Sequence, residues 1–203
     1  LYGALKALGK GFITNVFYLT ARTTGRRAAE TALEIMRAQG MMIRSVAITA
    51  KEKCCPMEKV ECFGCPNAAG YYERRGQALR EGMSIQALDA EKIAALAQKY
   101  EICPHELSLD LSEQADVIIC DYNYAFDPRV RLRRFFDHKS NAGLLVDEAH
   151  NLPDRAREML SASLSGAQIE DVRRLVGKYE GRESPMYNLL TDLLKLFTRP
   201  EAE

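Results

Sequence analysis

The amino-acid sequence predicts an α/β fold: a parallel sheet with helices on both faces, interrupted by a helical four-cysteine insertion and followed by further helices. Three observations carry this. Short apolar runs within 16–19, 45–49, 116–121 and 143–147 alternate with stretches of helical period, and continuous apolar strands separated by helices indicate parallel strands buried on both faces. Five of the six cysteines fall between Lys51 and Leu107, where that alternation lapses. After His150 no strand-like run returns before Glu203. The 203 residues, 47% hydrophobic and 28% charged, suffice for one full domain plus an insertion and do not describe a disordered tail.

Leu1, Leu5 and Leu8 share one helical face, which Gly9-Lys10-Gly11 breaks. Val16-Phe17-Tyr18-Leu19 is rich in strand-forming residues. A helix follows Thr20-Ala21-Arg22-Thr23; its apolar face is read as Ala28, Ala32, Leu33, Ile35 and Met36, and Gly40 closes it. Ser45-Val46-Ala47-Ile48-Thr49 is the second strand. From 51 to 107 cysteines, prolines and two helical pieces take over, with no strand expected there. Asp116-Val117-Ile118-Ile119-Cys120-Asp121 and Gly143-Leu144-Leu145-Val146-Asp147 resume the strand pattern. The last helices carry Ile169, Val172, Leu175 and Val176 on one face, then Leu189, Leu190, Leu193, Leu194 and Phe197. These changes divide the chain into 1–50 and 108–160, two parts of one α/β domain, with 51–107 as an insertion and 161–203 as a helical addition.

Lys plus Arg and Asp plus Glu both total 28, so the formal charge is zero. No global basic field announces a nucleic-acid partner, and any such contact must come from local patches. No apolar run approaches the roughly 18 residues of a membrane span, and the start, Leu1 to Lys6, lacks a signal peptide's charged leader and cleavage site. The expectation is a cytoplasmic protein with no membrane partner. A helix-like start without Met reads as a chain cut from something longer.

Asp147-Glu148-Ala149-His150 directly follows Leu144-Leu145-Val146. Two carboxylates therefore stand at the carboxyl end of a parallel strand, where open α/β sheets keep their ligands. Such a pair divides its labour: Asp147 holds a nucleotide-bound Mg²⁺, usually through water, and Glu148 orients and deprotonates the attacking water. A solvated acidic turn is the plainer reading of a bare Asp-Glu, and the strand before it decides against that. The four-residue string is the DEAH box of superfamily 2 helicases. Upstream, Tyr18-Leu19-Thr20-Ala21-Arg22-Thr23 resembles their motif Ia, and 115–128 resembles the segment preceding the DEAH box in the XPD/DinG family of helicases. That resemblance implies a RecA-like motor domain, ATP and Mg²⁺ as ligands, Thr20 and Arg22 on the DNA backbone, and His150 coupling the nucleotide site to DNA.

Cysteines clustered in a reducing compartment argue for a metal rather than disulfides. Cys62-Phe63-Gly64-Cys65 lets neighbouring thiolates reach one centre; Cys55 before it and Cys103 after a helical excursion make four. Pro56, Pro66 and Pro104 each follow one of these residues, as in ferredoxin-type loops. Spacing alone leaves zinc and a [4Fe-4S] cluster both open. The family resemblance implies the [4Fe-4S] cluster, because XPD/DinG helicases carry a four-cysteine cluster domain between motif Ia and the DEAH box. Cys54 competes with Cys55 for the first position, and Cys120, alone in an apolar strand, reads as a packing residue.

Lys51 and Lys53 lead into the first cysteine of the set, and Tyr71, Tyr72, Arg74 and Arg75 follow the third. Cations on phosphates and tyrosines under bases suit single-stranded DNA, and the resemblance implies that strand and the DNA fork as partners, met by Lys51, Lys53, Tyr72 and Arg75. The group Arg129, Arg131, Arg133 and Arg134 spreads over several helical faces and reads as solvated. No Gly-x-x-x-x-Gly-Lys-Ser/Thr phosphate loop occurs, so these residues alone are expected to be inactive, and 161–203 is expected to open the family's Arch domain. The parent reads as a 5′ to 3′ ATP-dependent DNA helicase of the repair type. The rival readings are a non-enzymatic metal-stabilised DNA-binding module and the motor part of a DinG-like nuclease.

Overall fold

The computed structural model describes residues 1–137 and 141–197. In chain order its elements are α1 (Tyr2–Gly9), β1 (Val16–Leu19), α2 (Thr23–Ala38), β2 (Ser45–Ala47), α3 (Lys51–Cys54), α4 (Tyr71–Met83), β3 (Ala87–Leu88), α5 (Ala90–Lys99) and α6 (Pro104–Ser112). They continue with β4 (Val117–Cys120), α7 (Asn123–Phe126), α8 (Arg133–Phe136), β5 (Gly143–Val146), a 3₁₀ turn (Ala149–Asn151), α9 (Leu152–Leu160), α10 (Gly166–Tyr179) and α11 (Pro185–Phe197).

The five strands form one parallel sheet in the order β3-β2-β4-β1-β5. Alternation along each strand sends side chains to opposite faces. Phe17, Leu19, Val46, Ile48, Ile118 and Cys120 enter one buried cluster, which α4, α5 and α6 cover with Ala78, Ile93, Leu96 and Leu107. Val16, Val117 and Ile119 enter the other, under Leu5 of α1 and Ala29 and Leu33 of α2. Both faces are therefore covered, as the apolar runs require.

Local chemistry explains where the helices begin. Asp89 caps α5 by accepting the Lys92 N–H at 2.9 Å, Pro104 occupies the first turn of α6 where its missing N–H costs nothing, and Ser165 with Gln168 closes a capping box on α10.

Three details depart from the sequence reading. The face of α2 that meets the sheet runs through Ala29, Leu33 and Met36, one step round the helix from the expected stripe, so Ala28 is exposed and Ile35 is 60% exposed. A strand stands inside 51–107 after all: β3 pairs with β2 through Ser45↔Ala87 and Val46↔Leu88, and two residues are too few to display a period. The edge strand β5 is only half covered, with Leu144 43% exposed.

The chain divides into two compact units, Leu1–Met159 and Leu160–Glu203. In the second, α10 and α11 form an antiparallel hairpin. A Cβ on Gly166 would meet Phe197, and one on Gly177 would stand 3.1 Å from Tyr187, so the start of α10 faces the end of α11. No described helix is long and apolar enough to cross a membrane.

Candidate nucleotide and nucleic-acid site

Strand register builds the site. Leu19 lies level with Cys120 and with Val146, so the next residue on each strand, Thr20, Asp121 and Asp147, emerges side by side at the carboxyl edge. The Asp147 N–H donates to the Leu19 carbonyl at 2.9 Å, and the Thr20 N–H to that of Cys120 at 2.9 Å, carrying the ladder one residue past the strands. The Thr20 hydroxyl donates to Asp147 Oδ2 at 3.1 Å. From the far side the hydroxyl of Tyr122, itself buried, donates to the Asp147 carbonyl. Burial and then the Asp147 charge push the Tyr122 phenol up, which keeps it a donor.

The chain then turns sharply. Glu148 has φ 50° and ψ 44°, the left-handed region that costs a side chain roughly 1–2 kcal/mol. That turn aims Glu148 away from Asp147's strand and into a cleft of about 320 Å³ lined by Thr20, Arg22, Tyr122, Asn151 and Arg155. His150 Nδ1 lies 3.3 Å from Glu148 Oε2, and both side chains are at least half exposed.

A second, larger groove of about 610 Å³ runs along the same edge past the ends of β1, β2 and β4. Four of the expected DNA residues, Thr20, Arg22, Lys51 and Lys53, line it together. Lys51 also bonds Glu106 at 3.4 Å and Cys62 Sγ at 3.6 Å; burial works against its charge and those two partners outweigh it, so it stays a cation. Tyr72 and Arg75 are not in the groove. They lie on α4, with the Arg75 guanidinium 4.8 Å from the Tyr72 ring centre and paired to Asp110 at 2.7 Å. The arginines of 129–134 behave as surface charges: Arg129 pairs with Asp127, Arg131 with Asp137, and Arg134 with Asp110 and Glu113.

Cys55, Cys62, Cys65 and Cys103 are all free thiols, half-buried apart from exposed Cys62. Cys62 and Cys65 sit on one turn closed by Cys65 N–H to the Cys62 carbonyl at 3.3 Å, and the Cys103 N–H donates to the Asn67 carbonyl at 3.0 Å, tying the start of α6 to that loop. Arg74 reinforces the tie by donating to the carbonyls of Pro66, Ala69 and Glu101 at 2.9, 2.7 and 2.8 Å. In kind the set suits a four-thiolate centre. In arrangement it stops short: among the described residues no three His, Cys, Asp or Glu side chains are gathered closely enough to hold a metal ion. The Cys54 thiol lies 3.7 Å from the Thr49 carbonyl and is pushed up to about 11 by burial and by the neighbouring Cys103 and Cys55. Cys120 is fully buried in the core.

Sequence reasoning missed Gly25, Arg26 and Tyr122, and it named Arg74 beside the cysteines without its part in holding their loop. Gly25 alone left a signal, since a glycine within a helix marks a close approach: a Cβ there would stand 2.2 Å from both Asp147 Oδ2 and Thr20 Oγ1.

A parallel sheet under helices with an Asp-Glu pair at one carboxyl edge is the architecture of a superfamily 2 helicase motor domain. The chain belongs to the DEAD_2 family, the XPD/DinG type of that superfamily, whose family model matches residues 40–169. It is 28% identical over 183 residues to a Caenorhabditis briggsae regulator of telomere elongation helicase 1 homolog, covering 80% of this chain and 18% of that protein. A Gallus gallus Fanconi anemia group J protein homolog is 36% identical over 90 residues, 44% of this chain and 7% of that one. The chain thus spans less than a fifth of the length of these relatives. Among solved structures, a truncated XPD matches with TM-score 0.57 and 21% identity over 95% of this chain and 56% of its own, and an XPD helicase with TM-score 0.51 and 22% identity over 96% and 35%.

Proposed function

We propose that these residues are part of the ATP-driven motor of an iron-sulfur DNA helicase that moves 5′ to 3′ on single-stranded DNA and opens forks in DNA repair. The observation that carries the reading is the level alignment of Thr20 and Asp147 at the carboxyl edge, with Glu148 turned into a cleft beside them. Asp147 holds the Mg²⁺ of Mg-ATP, Glu148 takes the proton of the attacking water, and His150, on Glu148, reports on the strand. Thr20, Arg22, Lys51 and Lys53 hold that strand in the larger groove through its phosphates, and Tyr72 with Arg75 meets it on α4. A relative named as a telomere elongation helicase regulator, and the family itself, support a nucleic-acid substrate.

Cys55, Cys62, Cys65 and Cys103 hold the [4Fe-4S] cluster, a reading supported by the ties through Asn67 and Arg74 that join the start of α6 to the loop of Cys62 and Cys65. An absorption shoulder at about 400 nm with about four irons and four sulfides per chain checks this. The 203 residues contain no phosphate loop, and alone they turn over no ATP. In the full-length protein Glu148→Gln lowers DNA-stimulated ATP turnover at least about a hundredfold while nucleotide still binds, the size of effect expected of a lost general base. Unchanged turnover in Glu148→Gln would take the general base away from this residue, and a full-length protein without DNA-stimulated turnover would leave a non-enzymatic, metal-stabilised DNA-binding module as the reading.

A further inference from the structure

Three contacts join the wall of the larger groove to the Asp147 carboxylate. The first is Thr20, 6% exposed. Its hydroxyl donates to Asp147 Oδ2 at 3.1 Å and accepts the Arg22 N–H at 3.4 Å, so one buried oxygen is bonded both to the carboxylate and to the backbone of a groove residue. The second is Gly25, in the first turn of α2, which Arg22 precedes as N-cap. With a Cβ 2.2 Å from both Asp147 Oδ2 and Thr20 Oγ1, the helix rests on that pair with no room to spare. The third is Arg26, whose guanidinium donates to the Ile48 carbonyl at 2.8 Å and to Thr49 Oγ1 at 3.0 Å, fastening the same helical turn to the end of β2 where Lys51 begins.

A strand drawn onto Arg22 and Lys51 therefore presses on an element that is in direct contact with the carboxylate. Coupling requires that the two ligands favour the same arrangement, and a shared, packed turn with one polar hinge provides it. We propose that Thr20 is a positioning residue that ties single-strand occupancy of the groove to the orientation of the Asp147 carboxylate, and hence to its hold on Mg-ATP; this rests on the motor reading given above. The hydroxyl is the necessary part. A valine would fill the same space and leave a carboxylate oxygen without its neutral donor, a bond to a charged group whose loss is felt more than that of an ordinary one.

The test is made in the full-length protein with Mg²⁺ titrated at saturating ATP, with and without a single-stranded oligonucleotide. Thr20→Val is expected to raise the half-saturating Mg²⁺ about tenfold and to shrink the stimulation by the oligonucleotide several-fold, while Thr20→Ser restores both. Thr20→Ala removes the same hydroxyl and gives the same comparison should valine unfold the protein. A titration and a stimulation ratio in Thr20→Val equal to those of the unaltered protein would overturn the inference, as would failure of Thr20→Ser to rescue, which would leave Thr20 a packing residue only. If the unaltered protein shows no strand-stimulated turnover at all, the motor reading falls first.

Discussion

Gly25 separates two forces that usually act together on a helical glycine. Helix propensity favours replacing it with alanine by roughly 1 kcal/mol, whereas the added Cβ would stand 2.2 Å from Asp147 Oδ2 and Thr20 Oγ1, and those oxygens can retreat only by giving up the hydrogen bond between them. Overpacking of this kind costs about 1–3 kcal/mol, so it outweighs propensity. Gly25→Ala is expected to lower the melting temperature, and a melting temperature equal to or above that of the unaltered protein would show that α2 can shift away. Asp147, Glu148 and Thr20 could be found in the sequence because each follows an apolar run, and a strand end is a place that local pattern defines. Gly25 and Tyr122 act across long separations, Thr20 and Asp147 themselves being 127 residues apart, and no local pattern encodes which distant atom a side chain will meet. Arg75 illustrates the same limit: the sequence places a cation beside the cysteines, and its ion pair with Asp110, 35 residues away, is visible only in the structure.

Among the elements, Asp110 on α6 is a junction. It accepts from Tyr71 at 2.9 Å and Arg75 at 2.7 Å on α4 and from Arg134 at 3.0 Å on α8, and α8 in turn sets Phe135 and Phe136 against Phe17 of β1. Burial acts to raise the Asp110 carboxyl; the bonds from Arg75, Arg134 and Tyr71 prevail and hold it below the ordinary value of 3.8. A carboxyl depressed on folding adds stability above its unfolded value, and that stability disappears as pH falls through the folded value. Asp110→Asn should therefore cost about 2 kcal/mol at neutral pH, as charged hydrogen bonds are lost, and the gap to the unaltered protein should close progressively below about pH 4. Urea unfolding at several pH values checks it; a gap independent of pH would mean that the ion pairs contribute nothing. The order and type of most elements followed from apolar period alone. What escaped was small in scale: the two residues of β3, and a rotation of α2 by about one residue, which depends on how the helix settles onto Val16, Val117 and Ile119.

At the scale of the whole molecule, two stretches of exposed residues without helix or strand are 58–64, around fully exposed Phe63, and 161–165 between α9 and α10. Such stretches are where proteases cut first. A broad-specificity protease is expected to cleave both before any strand, and loading with iron and sulfide is expected to protect 58–64 while leaving 161–165 as susceptible as before. Equal protection of both, or of neither, would speak against a cluster held by that loop. The order of the strands in the sheet also sets a schedule. A chain leaves the ribosome from its amino end, and β5, which brings Asp147 and Glu148, is made after the other four strands and docks at the edge against β1. During synthesis every residue that lines the larger groove is therefore made before Asp147 and Glu148, and the two sets meet only when β5 docks on β1.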